Sequence, residues 1–258
     1  MGRPRIDPVS TLHLVQDRAS PCPRRIADSG FGDRRLPCAR FYNIAQVIPA
    51  LVLAAGRSSR MGRAKAILPI GSGDTFLTRI VRSFLAAGVD DVVIVLGHDP
   101  EPIVGSFSMS GLPARFVINS NYDQGQLSSL LAGLAVIDRP GVVAALVTLV
   151  DVPLVSSATV RAVIDRYRET HAVVVRPTSG ARHGHPLLLD RSIFDELRAA
   201  DPQRGAKPIV RAHASVDGDF PVADEGAFAD IDTAEDYAQL VLTDAAGTAD
   251  RAPRREEQ

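Results

Sequence analysis

What most constrains the fold is a series of short, nearly unbroken apolar runs: residues 47–55 (VIPALVLAA), 91–96 (DVVIVL), 114–118 (ARFVI), 142–150 (VVAALVTLV) and 172–175 (AVVV). None approaches the ~20 residues needed to cross a bilayer. They lack the alternation of a half-solvated strand, so they read as strands buried on both faces. Helical patterns separate them. Asp74 or Thr75 can cap a helix that carries Phe76, Leu77, Ile80, Val81, Phe84 and Leu85 on one face and stops at Gly88. Residues 125–137 (GQLSSLLAGLAVI) place Leu127, Leu130, Leu131 and Leu134 together, and residues 158–170 are amphipathic. Strand alternating with helix at this spacing predicts an α/β fold: a three-layer, doubly wound, mostly parallel sheet with helices on both faces.

Other segments are less regular. Residues 100–113 are rich in Gly, Ser and Pro and predict at most a short helix. After Pro177 come a loop at 180–184, a short strand at 186–189, short helices at 192–199 and 207–213, edge strands at 220–222 and 228–230, and a helix at 233–242. We read these as a cap that completes one domain over residues 46–243. Residues 1–45 alternate prolines with arginines and keep no apolar period, which predicts a disordered extension, and residues 244–258 a frayed tail. The formal net charge of -1 gives no basic field for a nucleic-acid partner. The two cysteines, Cys22 and Cys38, cannot make a disulfide framework or a thiolate zinc site. With no secretory pattern or membrane span, the expected location is the cytoplasm.

Residues 51–69 (LVLAAGRSSRMGRAKAILP) then set the chemistry. A buried strand empties into a loop holding two glycines, three arginines, two serines and a lysine. Glycine lets backbone N–H groups approach phosphate oxygens, and Arg and Lys offset their charge. The loop is neither a P-loop, since Gly56 and Gly62 are one residue too far apart and Lys65 lies downstream, nor a Rossmann fingerprint. Asp151 ends the most hydrophobic run, where open parallel sheets bind ligands and where a carboxylate suits Mg²⁺. Asp230 and Asp232 are candidates for a second carboxylate that would share a face in an extended segment, although Asp232 also precedes a helix it could cap. The helix start at 125–129 offers its N–H groups, Gln126 and Ser128 to a nucleotide, with Asn121 nearby. His183 and His185 lack further metal ligands, so His185 reads as a substrate contact.

The loop resembles the signature L-A-A-G-x-S-x-R-M-G-x-x-K-x-L-x-P of MobA-like nucleotidyltransferases, most closely the molybdenum cofactor cytidylyltransferase branch. Later segments follow in family order: Asn121 with Gly125-Gln126-Leu127-Ser128-Ser129-Leu130, Asp151-Val152-Pro153-Leu154, Gly184-His185-Pro186, and the run from Asp230 to Tyr237. The resemblance implies a Rossmann-like nucleotidyltransferase fold. It also implies an NTP held by Leu53, Ala54, Ala55, Gly56, Ser58 and Gly62, with Arg60 and Lys65 on the triphosphate. Asp151, with Asp230 or Asp232, would hold Mg²⁺, or Mn²⁺ in its place. His185 and Arg182 would meet a molybdopterin-type phosphate acceptor, and the product would pass to a molybdenum hydroxylase apo-enzyme. Relatives that use guanine nucleotides tend to carry Leu-Ala-Gly-Gly; Ala55 here implies CTP. A sugar 1-phosphate or another small phosphate is the alternative acceptor, and a non-catalytic molybdopterin carrier the alternative role.

Overall fold

The computed structural model describes residues 46–57 and 61–249. In chain order the elements are β1 (Ala50–Ala54), a hairpin of β2 (Pro69–Ile70) and β3 (Asp74–Thr75), α1 (Phe76–Ala86), β4 (Val92–Leu96), α2 (Pro100–Ser108), β5 (Arg115–Ile118), α3 (Gln126–Ile137), β6 (Ala144–Leu149) and α4 (Ser157–Thr170). They continue as β7 (Val174–Ser179), β8 (Arg182–His183), β9 (Leu187–Asp190), α5 (Phe194–Arg198), α6 (Lys207–Ala212), β10 (Asp219–Pro221) and α7 (Ala234–Ala249). The expected extension at 1–45 and the end of the expected tail, 250–258, lie outside the described residues; α7 runs past residue 243 to Ala249.

The main sheet has the order β10-β7-β9-β6-β1-β4-β5, with β8 folded onto β7. β1 pairs in parallel with β4 and β6, β4 with β5, and β10 with β7; β9 is inserted antiparallel between β6 and β7. The chain winds outward from β1 through β4 to β5, then returns to add β6 on the other side. The carboxyl ends of β1 and β6 therefore flank a topological switch point, where the two connections diverge and leave a crevice.

Side-chain alternation builds both outer layers. Ala50, Val52 and Ala54 face the layer that holds Phe84 of α1 and Val160 and Tyr167 of α4. Leu51 and Leu53 face Leu130 and Leu134 of α3 and Phe194 of α5. Gly133 lets α3 lie close to the sheet, because a Cβ there would stand 2.9 Å from both methyls of Leu51. Thr75 caps α1 in a reciprocal capping box with Thr78, and Gly88, at φ +88°, follows its end.

The stretch at 100–113 holds a short helix, the nine-residue α2. Pro100 and Pro102 occupy its first turn, where no intrahelical N–H is required, and Ile103 and Phe107 are buried one turn apart. One local expectation changes, at residues 228–230. Glu225–Phe228 is a 3₁₀ turn whose Gly226 N–H donates to Asp224, and the chain then runs to α7 without forming a strand. α7 docks on the β2–β3 hairpin, with Tyr237 set edge-on to Phe76 and its hydroxyl donating to the Pro69 carbonyl at 2.9 Å. This docking, with the Ile231 N–H on the Asp151 carbonyl at 2.8 Å, lays residues 230–232 across the end of β6.

Candidate active site

A cleft of about 370 Å³ opens at the carboxyl ends of β1 and β6, against the start of α3. Its lining holds one ionic cluster, Lys65 with Asp151 and Asp232, and neutral residues that include Leu53, Ala55, Tyr122, Gln126 and Ser129.

Lys65 starts the 3₁₀ turn Lys65–Ile67 and is only 8% exposed. Its Nζ lies 2.6 Å from Asp232 Oδ1 and 3.6 Å from Asp151 Oδ2. Asp151 sits in the turn after β6, closed by the Val152 N–H on the Leu149 carbonyl. Burial pushes its carboxyl above the usual range; Lys65 opposes this and Asp230 and Asp232 reinforce it. Its Oδ1 is buried with no hydrogen-bond partner among the described residues. A buried carboxylate oxygen without a donor fits a cation ligand better than a structural acceptor. Among the described residues, no group of three or more His, Cys, Asp or Glu side chains forms a metal cage.

The structure separates the two carboxylates that flank Ile231. The cap of α7 is Thr233, whose hydroxyl accepts the Asp236 N–H while Asp236 Oδ2 accepts the N–H groups of Asp232 and Thr233. Asp232 is therefore not the cap, and its carboxylate turns to Lys65. Asp230 is exposed, does not line the cleft, and acts on Asp151 through charge alone.

Other expected contacts shift. The side chain of Ala54 points away from the cleft into the α1–α4 layer, whereas Leu53, Ala55 and Gly56 line it. Gly62 takes φ +63° in the returning limb of the loop, while Ser58 and Arg60 lie outside the described residues. The Ser128 hydroxyl is turned back to the carbonyls of Asn121 and Gly125, each at 2.8 Å, and Asn121 lies outside the cleft wall. Ser129 stands in the cleft instead. Asn121 N–H fixes Asn119 Oδ1, so Asn119 Nδ2 donates to Ser128 and, at 3.1 Å, to Ser129 Oγ. With its oxygen engaged as an acceptor, Ser129 has its proton to offer the cleft.

On the far side of β6, His185 Nδ1 lies 3.4 Å from the Val147 carbonyl. Burial holds its pKa below the ordinary value, so the imidazole is neutral at pH 7. Gly184 keeps this turn against Phe228, since a Cβ there would meet the Ala227 carbonyl at 2.6 Å. Arg182 is exposed but engaged: it pairs with Glu225 at 2.8 Å and lies 5.0 Å from the Phe228 ring centroid. Arg176, the other arginine of this region, is buried and bidentate to Asp219, so it is a structural cation.

Sequence reasoning missed Asn119, Tyr122 and Ser129. Tyr122 lines the cleft from the turn after β5, with the Arg57 guanidinium 5.6 Å from its ring centroid and His98 Nδ1 3.3 Å from its hydroxyl. The signal for Ser129 was its helical phase one place after Ser128.

A family model described as the MobA-like NTP transferase domain matches residues 50–216. The chain is 30% identical over 204 residues to a molybdenum cofactor guanylyltransferase of Rhizobium meliloti, covering 74% of this chain and 89% of that one. It is 29% identical over 217 residues to a protein named nicotine blue oxidoreductase from Paenarthrobacter nicotinovorans, covering 81% and 100%. Among solved structures it is similar to Rv0371c of Mycobacterium tuberculosis, with a TM-score of 0.64 and 27% identity over 77% of this chain and 98% of that one. The manganese complex of Rv0371c gives a TM-score of 0.60 at 26% identity, covering 77% and 99%.

Proposed function

This chain belongs to the MobA-like NTP transferase domain family, and we propose that it transfers CMP from CTP to the terminal phosphate of a molybdopterin-type cofactor. The observation that carries this is the make-up of the cleft wall. Lys65 and two aspartates form an ionic cluster suited to a triphosphate, and neutral residues that include Ala55 and Ser129 line the same cleft at the switch point. An acceptor phosphate oxygen attacks the α-phosphorus, the bond to the bridging α–β oxygen breaks, and pyrophosphate leaves. The attacking oxygen is already anionic, so positioning and charge stabilisation suffice. Lys65 offsets charge on the leaving phosphates, and Arg60 has the same role from the loop. Asp151 and Asp232 would hold Mg²⁺ or Mn²⁺. When bound, the ion supplies positive charge to the phosphate oxygens. His185 and Arg182 border the acceptor side, His185 as a neutral contact and Arg182 after release from Glu225. A molybdenum hydroxylase apo-enzyme would receive the product.

Support for cytosine rests on the Ala55 methyl, which stands in the cleft wall where guanine-using relatives tend to have glycine. Ala55→Gly is expected to lower the ratio of kcat/KM for CTP over GTP by about tenfold, the scale of one methyl in a selective pocket. Steady-state kinetics with both nucleotides checks it. Ser129→Ala is expected to raise KM for the NTP about two- to tenfold with kcat unchanged, as for one lost neutral hydrogen bond, while Ser129→Thr keeps it low.

Pyrophosphate release with each of the four NTPs and Mg²⁺, with and without molybdopterin, tests the whole proposal. Release that needs molybdopterin and is fastest with CTP supports it. Preference for GTP overturns the base assignment, and release with a sugar 1-phosphate alone overturns the acceptor. No release with any NTP overturns nucleotidyl transfer and points to a reaction like that for which the oxidoreductase relative is named.

A further inference from the structure

The ammonium of Lys65 stands between the two carboxylates that would hold the divalent ion. It is 2.6 Å from Asp232 Oδ1 and 3.6 Å from Asp151 Oδ2, and it is shielded from solvent. An ion held by Asp232 Oδ1 needs that oxygen at about 2.0–2.1 Å, and that oxygen is already taken by the ammonium at 2.6 Å. Two like charges cannot share that position. Asp232 has half of its side chain exposed, so it can turn between partners, whereas Asp151 is fixed in its turn by the Ile231 N–H on its carbonyl.

We propose that Lys65 is a latch: its ion pair with Asp232 fills the second-carboxylate half of the metal site, and triphosphate must draw it away before Asp232 can join Asp151 in holding a divalent ion. This rests on the metal assignment given above. Lys65 thus has two successive partners, carboxylate at rest and phosphate when nucleotide is bound, and nucleotide and metal enter as a pair. Metal and nucleotide affinities are then coupled, because whatever removes Lys65 from Asp232 favours the ion by the same free energy. The resting protein would not accumulate metal without substrate.

The test is Mn²⁺ binding to the full chain without nucleotide, followed by the loss of the free-ion EPR signal. Lys65→Met is expected to bind one Mn²⁺ about ten- to a hundredfold more tightly than the unsubstituted protein, the range of ordinary coupling energies. Lys65→Met combined with Asp232→Asn loses the gain, and Lys65→Arg, which keeps a cation in place, shows none. If Lys65→Met does not fold, Lys65→Gln gives the same reading, because a neutral amide cannot exclude the ion by charge. Unchanged Mn²⁺ affinity in a folded neutral variant, with CTP-dependent Mn²⁺ binding intact in the unsubstituted protein, overturns the latch and leaves the metal assignment standing. A gain that survives Asp232→Asn also overturns it. Absence of Mn²⁺ binding in every protein, with or without CTP, overturns both.

Discussion

Replacing Asp151 with alanine is expected to lower Mg²⁺-dependent nucleotidyl transfer about 10³-fold or more while leaving the protein folded. The expected magnitude is that of a group acting on transition-state charge in a water-poor site. The fold is spared for a physical reason. The carboxylate is buried, its Oδ1 has no hydrogen-bond partner among the described residues, and burial raises its pKa above the unfolded value. A folded acid with a raised pKa binds more protons than the unfolded one, so its contribution to stability falls as pH rises, and ionised Asp151 weakens the fold at neutral pH. What the protein needs structurally from this position is the backbone carbonyl, which takes the Ile231 N–H and survives the substitution. Asp151→Ala should therefore melt at or above the temperature of the unsubstituted protein. Asp151→Asn, which keeps the shape and loses the charge, should be nearly as inactive. Pyrophosphate release and thermal melting on the same preparations check both parts. Full activity in either variant would refute the metal role, and a collapsed melting temperature would mean that the loss reports unfolding.

How much of this was legible in the chain depends on where the information lies. Unbroken apolar runs bounded by helical periods specify a buried, mainly parallel sheet whatever its strand order, so β1, β4 and β6 could be read directly. The four residues of β9 carry nothing that states direction, and their antiparallel insertion is set by the β7–β8 hairpin before them. α2 could be read only as a short helix, because its prolines and Gly105 suggest a loop by composition, although prolines in a first turn do not oppose a helix. Lys65 and Asp151 stood out because each follows a buried strand in a pattern that departs from its surroundings. Their partner did not: Asp232 lies 167 residues from Lys65, and only the docking of α7 brings it there. Ser128 and Ser129 differ by a single helical step, which sends one hydroxyl to the backbone and the other to the cleft.

Gly97→Ala is expected to destabilise the fold by about 1–3 kcal/mol, the usual range for overpacking, and to weaken nucleotide binding as well. Gly97 follows β4 directly, and a Cβ on it would stand 2.5 Å from Tyr122 Cβ and 2.7 Å from the Ala55 carbonyl oxygen. Neither neighbour is the far end of a flexible side chain. Ala55 directly follows the central strand, and the Tyr122 Cβ is fixed by its 3₁₀ turn. Relief therefore requires the end of β1 to move away from the turn after β5. Ala55 and Tyr122 both line the cleft, so the same movement widens it. A displacement of this kind at a positioning wall is expected to raise KM for the NTP about tenfold or more. Gly105→Ala is the matched control. It lies inside α2 with nothing within 4 Å of an added Cβ, and there the substitution should stabilise by about 0.5–1 kcal/mol through helix propensity, with kinetics unchanged. Urea unfolding at constant m-value, read beside KM for CTP, separates the two glycines. If Gly97→Ala keeps both its midpoint and its KM, the close approach of β1, β4 and the Tyr122 turn is not what shapes the cleft.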